Sequence, residues 1–178
     1  ARAQTMEMAN LARSTMLQAM SLVHHWDSDM ARQISANEDQ TDSYEDRLGT
    51  YLVRLSSHTL SVEDSHSVSV LLHTIGDFER IGDHAVNLLD SARELHSKGL
   101  VLPENTRSEL SVLESAVQEI LNNSIESFQH ADLDLARKVE PLEDTIDDLV
   151  REMKNRHIQR LQSGEDTILQ GFVLSDLL

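Results

Sequence analysis

One stretch of this 178-residue chain occurs twice, and that duplication constrains the fold more than any other feature. Asp29-Met30-Ala31-Arg32 reappears 105 residues later as Asp134-Leu135-Ala136-Arg137, Glu38-Asp39 as Glu143-Asp144, and Asp42 as Asp147. Both copies lie in segments whose apolar residues recur at three- and four-residue steps, the period of a helix with one buried face. No segment shows the strict alternation of a half-buried strand. Two tandem units of three helices each are too few for an open solenoid and suit two antiparallel bundles. The expected fold class is therefore all-α, with a first three-helix repeat over 1-101 and an incomplete second over 102-178.

Punctuation residues place the helices. Ala9, Ala12, Met16, Ala19 and Val23 mark a first helix over about 3 to 25, whose small residues permit close helix approach. Met6, Met8, Met16 and Met20 read as core filling. Asp27 or Ser28 can cap a second helix running to about Ser57. Ser61 opens a third, stopped near Lys98 by Gly99, and Pro103 starts the next segment. The second half is expected to hold helices over about 104 to 130 and 132 to 163, the latter ending at Gly164, and one more from near Glu165.

The third helix puts acid where its pattern calls for hydrocarbon. Its stripe reads Val68, Leu72, Ile75, Glu79, Gly82, Val86, Leu89, and Asp83 follows Glu79 by one turn on the same side. The second helix does the same: its stripe of Ile34, Glu38, Thr41, Glu45, Leu48 and Leu52 has Glu38 in the gap and Asp42 one turn on. In the repeat, Glu143 sits among Val139, Ile146, Val150 and Met153, with Asp147 after it. Each of these three Glu-x-x-x-Asp pairs is thus expected to have its Glu on a core-facing stripe. A carboxylate there costs several kcal/mol unless paired, protonated or bound to a cation. Two pairs on facing helices would gather four carboxylates that cannot all stay ionised alone. Such oxygen donors suit Mg, Mn, Fe or Zn. The competing account is a salt-bridge network using Arg80 with Arg47 or Arg54.

Composition removes several function classes. With 31 acidic against 15 basic residues the net charge is −16, which disfavours a general partnership with nucleic acid or an anionic membrane. The absence of cysteine rules out disulfides, thiolate metal sites and cysteine nucleophiles. No apolar run approaches the roughly 20 residues of a membrane span, and no signal peptide is visible. The start at Ala1 and the apolar run Phe172-Val173-Leu174 near the end lead us to expect a piece of something larger. Gly-rich phosphate loops, nucleophile elbows and zinc-protease motifs are missing. Glu63-x-x-His66 stands alone, whereas a di-iron oxidase needs two such motifs on separate helices. His24 and His25 read as surface or capping residues, His84 as a candidate further ligand, and His157 as a satisfied core histidine.

Glu79-Arg80-Ile81-Gly82-Asp83-His84 resembles the signature of the PhoU family of phosphate-uptake regulators, and the tandem layout is similar over nearly the whole chain. Tyr51-Leu52-Val53-Arg54-Leu55-Ser56, Arg156 to Gly164 and Gly171 to Leu178 look like the PhoU-like domain at the C-terminus of bacterial sodium/phosphate cotransporters. The resemblance implies a non-catalytic regulatory domain binding metal clusters, Fe, Zn, Mn or Mg, through Glu38, Asp42, Glu79 and Asp83, with Glu143 and Asp147 beginning a second site. It implies a place at the cytoplasmic face of the cell membrane. The expected partner is a membrane transporter portion of the same polypeptide, with a homodimer as an option and no nucleic acid. A free-standing PhoU regulator of a phosphate ABC transporter and sensor kinase is the alternative. A carboxylate-bridged metalloenzyme is the alternative of a different class.

Overall fold

The computed structural model describes all residues, Ala1 to Leu178, and every regular element in it is a helix. The elements are α1 (Arg2–His24), α2 (Ser28–Ser56), α3 (Val62–Ser97), α4 (Glu104–His130), α5 (Leu133–Ala136), α6 (Val139–Ser163) and α7 (Ile168–Leu177). The all-α expectation holds. Two compact units divide the chain: Ala1–Ala19 with Asp27–Val86, and Met20–Trp26 with Asn87–Leu178. Helices α1 and α3 thus each contribute to both units, so the units are not coextensive with the sequence repeats.

The first unit is built on small and aliphatic residues. Ala9 and Ala12 of α1 are fully buried with Met8, and they share the core with Ile34, Leu48 and Leu52 of α2 and Ile75, Phe78 and Ala85 of α3. Thr5, Thr15 and Thr41 are also fully buried, which is tolerable because each hydroxyl donates to the carbonyl four residues back. Asp27 is the N-cap of α2, accepting from the backbone N–H of Asp29 at 2.7 Å and of Met30 at 3.0 Å. Helix α3 begins where Ser61 Oγ accepts from Asp64 N–H. It ends at Gly99, whose φ of +62° suits a residue without Cβ.

The second unit repeats the start of α2 down to its cap. Asp132, at the same 105-residue offset from Asp27, accepts from the N–H groups of Asp134 and Leu135, and Arg137 pairs with Asp134 as Arg32 pairs with Asp29. The expected single helix over 132 to 163 is nevertheless two. It stops after α5, turns at Arg137 and Lys138, and restarts as α6. Pro141 supplies the reason: it has no N–H for the carbonyl of Arg137, and its ring clashes with that carbonyl in a continuous helix. In the first turn of a new helix the missing N–H costs nothing. The first copy has Ala36 at this offset, and α2 runs on unbroken.

The core of the second unit gathers Leu95, Leu102, Leu110, Leu113, Met153, Val173 and Leu174. Beside it, His24 Nε2 lies 2.8 Å from Glu114 Oε1, and the Trp26 ring stacks on His96 at 4.9 Å. Helix α7 starts at Ile168 rather than near Glu165, because the chain between α6 and α7 is held in a turn: the N–H groups of Glu165 and Asp166 both donate to the Arg160 carbonyl. The Asp166 carboxylate Oδ2 accepts from Arg160 Nε at 3.0 Å and lies 2.8 Å from His157 Nδ1. Arg160 also donates to Glu109. His157 is buried as expected, though its Nε2 has no partner and faces Gly171, where a Cβ would come within 2.6 Å.

Candidate metal centre

Helices α2 and α3 run antiparallel through the first unit: Gly82 lies against Thr41, while Gly49 lies against Ile75. That register sets Glu38 and Asp42, one turn apart on α2, across from Glu79 and Asp83, one turn apart on α3. Gly82 is buried at the crossing, and a Cβ added there would already touch Thr41 at 3.5 Å and Glu38 Cγ at 3.9 Å. The bare backbone lets the two acid-bearing turns approach.

One carboxylate oxygen from each of Glu38, Asp42 and Asp83 lies within 4.8 Å of the others. Two full charges at that separation repel by about 1 kcal/mol in bulk water and about 3–4 kcal/mol at an effective dielectric near 20. Burial raises the Glu38 pKa above the usual carboxylate range, and the charges of Asp42, Asp39 and Asp83 add to it. Asp42 is pushed up by burial and then by Asp83, Asp39 and Asp46. Glu79 joins the same set: burial, the charges of Asp83, Asp42 and Glu45, and a hydrogen bond with Asp83 raise its pKa. Every charge acting on these three groups is another carboxylate.

The arginine account of this cluster does not survive. Arg47, Arg54 and Arg80 are all exposed, and none pairs with Glu38, Asp42, Glu79 or Asp83. His84 is exposed next to Asp83 and is not part of the cluster. Asp42 and Asp83 are exposed and Glu38 and Glu79 half-buried, so solvent screens part of the charge, and protons or a cation can balance the rest. The donor set, carboxylate oxygen throughout, is of the kind that suits a hard or borderline metal ion, with the oxygens of Glu38, Asp42 and Asp83 closest together and Glu79 hydrogen-bonded to Asp83.

The second unit does not repeat this geometry. Glu143 and Asp147 are exposed, so Glu143 is not on a buried stripe, although Ile146 and Val150 beside it are partly buried against the core. No second pair faces them as α3 faces α2. Glu63 and His66 lie exposed in the first two turns of α3, roughly 20–30 Å along the helix from Glu79 and Asp83. The groups that sequence reasoning missed are the buried Asp166 and the half-buried Glu109 and Glu114. The His157-x-x-Arg160 spacing was the available signal for the first, since it puts both side chains on one face of α6.

Comparison with known proteins resolves the family. The PhoU domain model matches residues 5–92 and again residues 110–176. The chain belongs to the PhoU domain family. It is 20% identical over 169 residues to the phosphate-specific transport system accessory protein PhoU homolog of Clostridium acetobutylicum, covering 94% of this chain and 76% of that protein. It is 24% identical to the Aquifex aeolicus homolog over 85% of this chain and 67% of that protein. To Escherichia coli PhoU it is 25% identical over 78% of this chain and 56% of that protein. These names correct the expected partner. The relatives are named as accessory proteins of a transport system rather than as portions of a transporter. A transporter portion in the same polypeptide is therefore withdrawn.

Proposed function

We propose that this PhoU-domain chain is a non-catalytic regulator of phosphate uptake, acting on a phosphate transport system and its sensor kinase, with a metal ion held by Glu38, Asp42, Asp83 and Glu79. The observation that carries the metal part is the convergence of these four acids from α2 and α3 without an arginine or lysine among them. A bound divalent cation such as Mn, Mg, Fe or Zn would neutralise the cluster and join α2 to α3, adding binding free energy to folding. In that role the metal is a structural clamp. The relatives' names, accessory proteins of phosphate-specific transport, support the regulatory part. The metalloenzyme alternative has no observation in its favour, because the lone Glu-x-x-His motif is remote from the acids.

The test is uptake of labelled phosphate in a bacterium lacking its own PhoU, with the purified chain's metal content measured by elemental analysis. Expression of the chain is expected to restore repression of uptake at high phosphate. Glu79→Ala is expected to lower both repression and metal content, and Glu143→Ala to leave both unchanged. Unrepressed uptake with the wild-type chain would defeat the regulatory reading, and negligible metal in every variant would defeat the metal reading.

A further inference from the structure

Half of the arginines of this chain are tied to an acid one helical turn away, as Arg32 is to Asp29, Arg93 to Asp90 and Arg107 to Glu104. Arg47 and Arg54 are different. Both are exposed on α2 and neither makes an ion pair. They stand seven positions apart, about 10 Å along the axis, on one strip of the helix. Tyr51 lies on the strip between them and is 52% exposed. The buried Leu48 and Leu52 anchor the adjoining face in the core, so the strip is held rigid from behind.

The surrounding sequence is unusual as well. No acid occurs from Arg47 to Val62, although 31 of the 178 residues are acidic. Arg54, in the last turn of α2, has a local explanation in the negative end of the helix dipole. Arg47 lies more than two turns before that end, and the dipole explains neither it nor the exposed phenol ring. An aromatic flanked by free guanidinium groups has the composition of an interface core, where Tyr and Arg are enriched.

We infer that the Arg47–Tyr51–Arg54 strip of α2 is a docking surface for an acidic helix of a partner protein. Carboxylates one heptad apart on such a helix match the spacing of the two guanidinium groups, which bind carboxylate in two-pronged fashion. Tyr51 packs on the hydrocarbon between them. An anionic membrane carries the same charge but fits less well. A lipid plane meets the whole chain of net charge −16, whereas a single helix feels mainly the charges within about 8 Å at physiological salt. The inference is independent of metal at Glu38, Asp42, Glu79 and Asp83, because the peptide test below needs no metal in the protein.

The experiment is fluorescence anisotropy of a labelled helical peptide of about 20 residues with Glu one heptad apart, titrated with the full chain at about 50 mM salt. A peptide with Gln in place of Glu serves as one control, and anionic phosphatidylserine vesicles serve in a parallel sedimentation assay. Arg47→Glu with Arg54→Glu is expected to weaken Glu-peptide binding by about tenfold or more, and Tyr51→Ala by a smaller factor. Arg32→Glu with Arg137→Glu, which alters two ion-paired exposed arginines, is expected to change it by less than about twofold. All three variants are expected to stay folded and to lose no more than about 5 °C in Tm, since the altered side chains are exposed and lose only helix-dipole and surface ion-pair contributions. Equal weakening by the two double substitutions would overturn the inference, as would absence of wild-type binding or equal binding of the Gln peptide. Loss of vesicle binding in the Arg47/Arg54 variant with unchanged peptide binding would reassign the strip to lipid and overturn it too.

Discussion

Asp166 in the second unit is more deeply buried than Glu38, Asp42, Glu79 or Asp83 in the first, yet it is the less anomalous acid. Arg160 bonds to it, Arg160 also bonds to Glu109, and Arg156 reaches Glu109 from the surface. Burial lowers the Arg160 pKa, but its hydrogen bonds to Asp166 and Glu109 and their charges hold it above the ordinary arginine value. The second unit therefore carries its own counter-charges. The first unit has Arg80 one residue from Glu79 in sequence and leaves it pointing to solvent. Proximity in sequence decides little here: on a helix, neighbours in the chain project about 100° apart. A cluster of acids that leaves a neighbouring arginine unused is the observation behind the proposal that a cation balances it.

The comparison can be broken from either side. The largest effect is expected from Arg160→Ala, which would leave Asp166 and Glu109 without their shared partner. A loss of about 3–5 kcal/mol in denaturant unfolding is expected, as for other broken buried pairs. A loss below about 1 kcal/mol would mean that the second unit does not depend on its own cations. A smaller effect separates the two helix starts. Asp27→Ala removes the cap of a 29-residue helix and is expected to lower Tm by about 2–4 °C, whereas Asp132→Ala, capping four residues, should lower it less.

The smallest effect is the pH dependence of the metal-free protein. Glu38, Asp42 and Glu79 have folded-state pKa values raised above their unfolded values, so the native state holds protons more tightly. Their contribution to stability is full below the unfolded carboxylate range, near pH 4, and is lost as pH rises through the raised folded values. In the presence of a chelator, Tm should therefore rise on acidification from neutral pH toward pH 5. That rise should shrink in Glu38→Gln with Asp83→Asn, where Asp42 and Glu79 keep only part of their shift. A wild-type slope of the opposite sign would show that the acids are already balanced within the chain.

Much of the fold was legible because its punctuation is local. Gly99, Gly164 and Pro103 mark helix ends through backbone geometry alone, and the caps Asp27 and Asp132 sit at the repeat offset. The break before α6 was equally local, but Pro141 falls inside an otherwise regular apolar pattern that outweighed it. The acids of the first unit stood out in the sequence because Glu38 and Glu79 interrupt an apolar seam, with Asp42 and Asp83 one turn on. What the seam could not show was which unit completes the arrangement. Glu143 occupies the same motif as Glu38, and only the packing of a facing helix distinguishes a gathered carboxylate from a solvated one. Asp166 was invisible for a related reason: it lies between helices, where periodicity carries no information, and its partner is six residues away.

The central claim is that the acids of the first unit are balanced by a bound cation, and thermal unfolding tests it most directly. Protein stripped with chelator would be melted before and after adding Mn or Zn, for the wild type and for Glu38→Gln with Asp83→Asn. At about one hundred times the dissociation constant, metal should raise the wild-type Tm by roughly 5–10 °C and leave the double variant unmoved. The stripped variant should melt at or above the stripped wild type, because mutual repulsion has been removed. Equal shifts in both proteins, or no shift in either, would contradict the account.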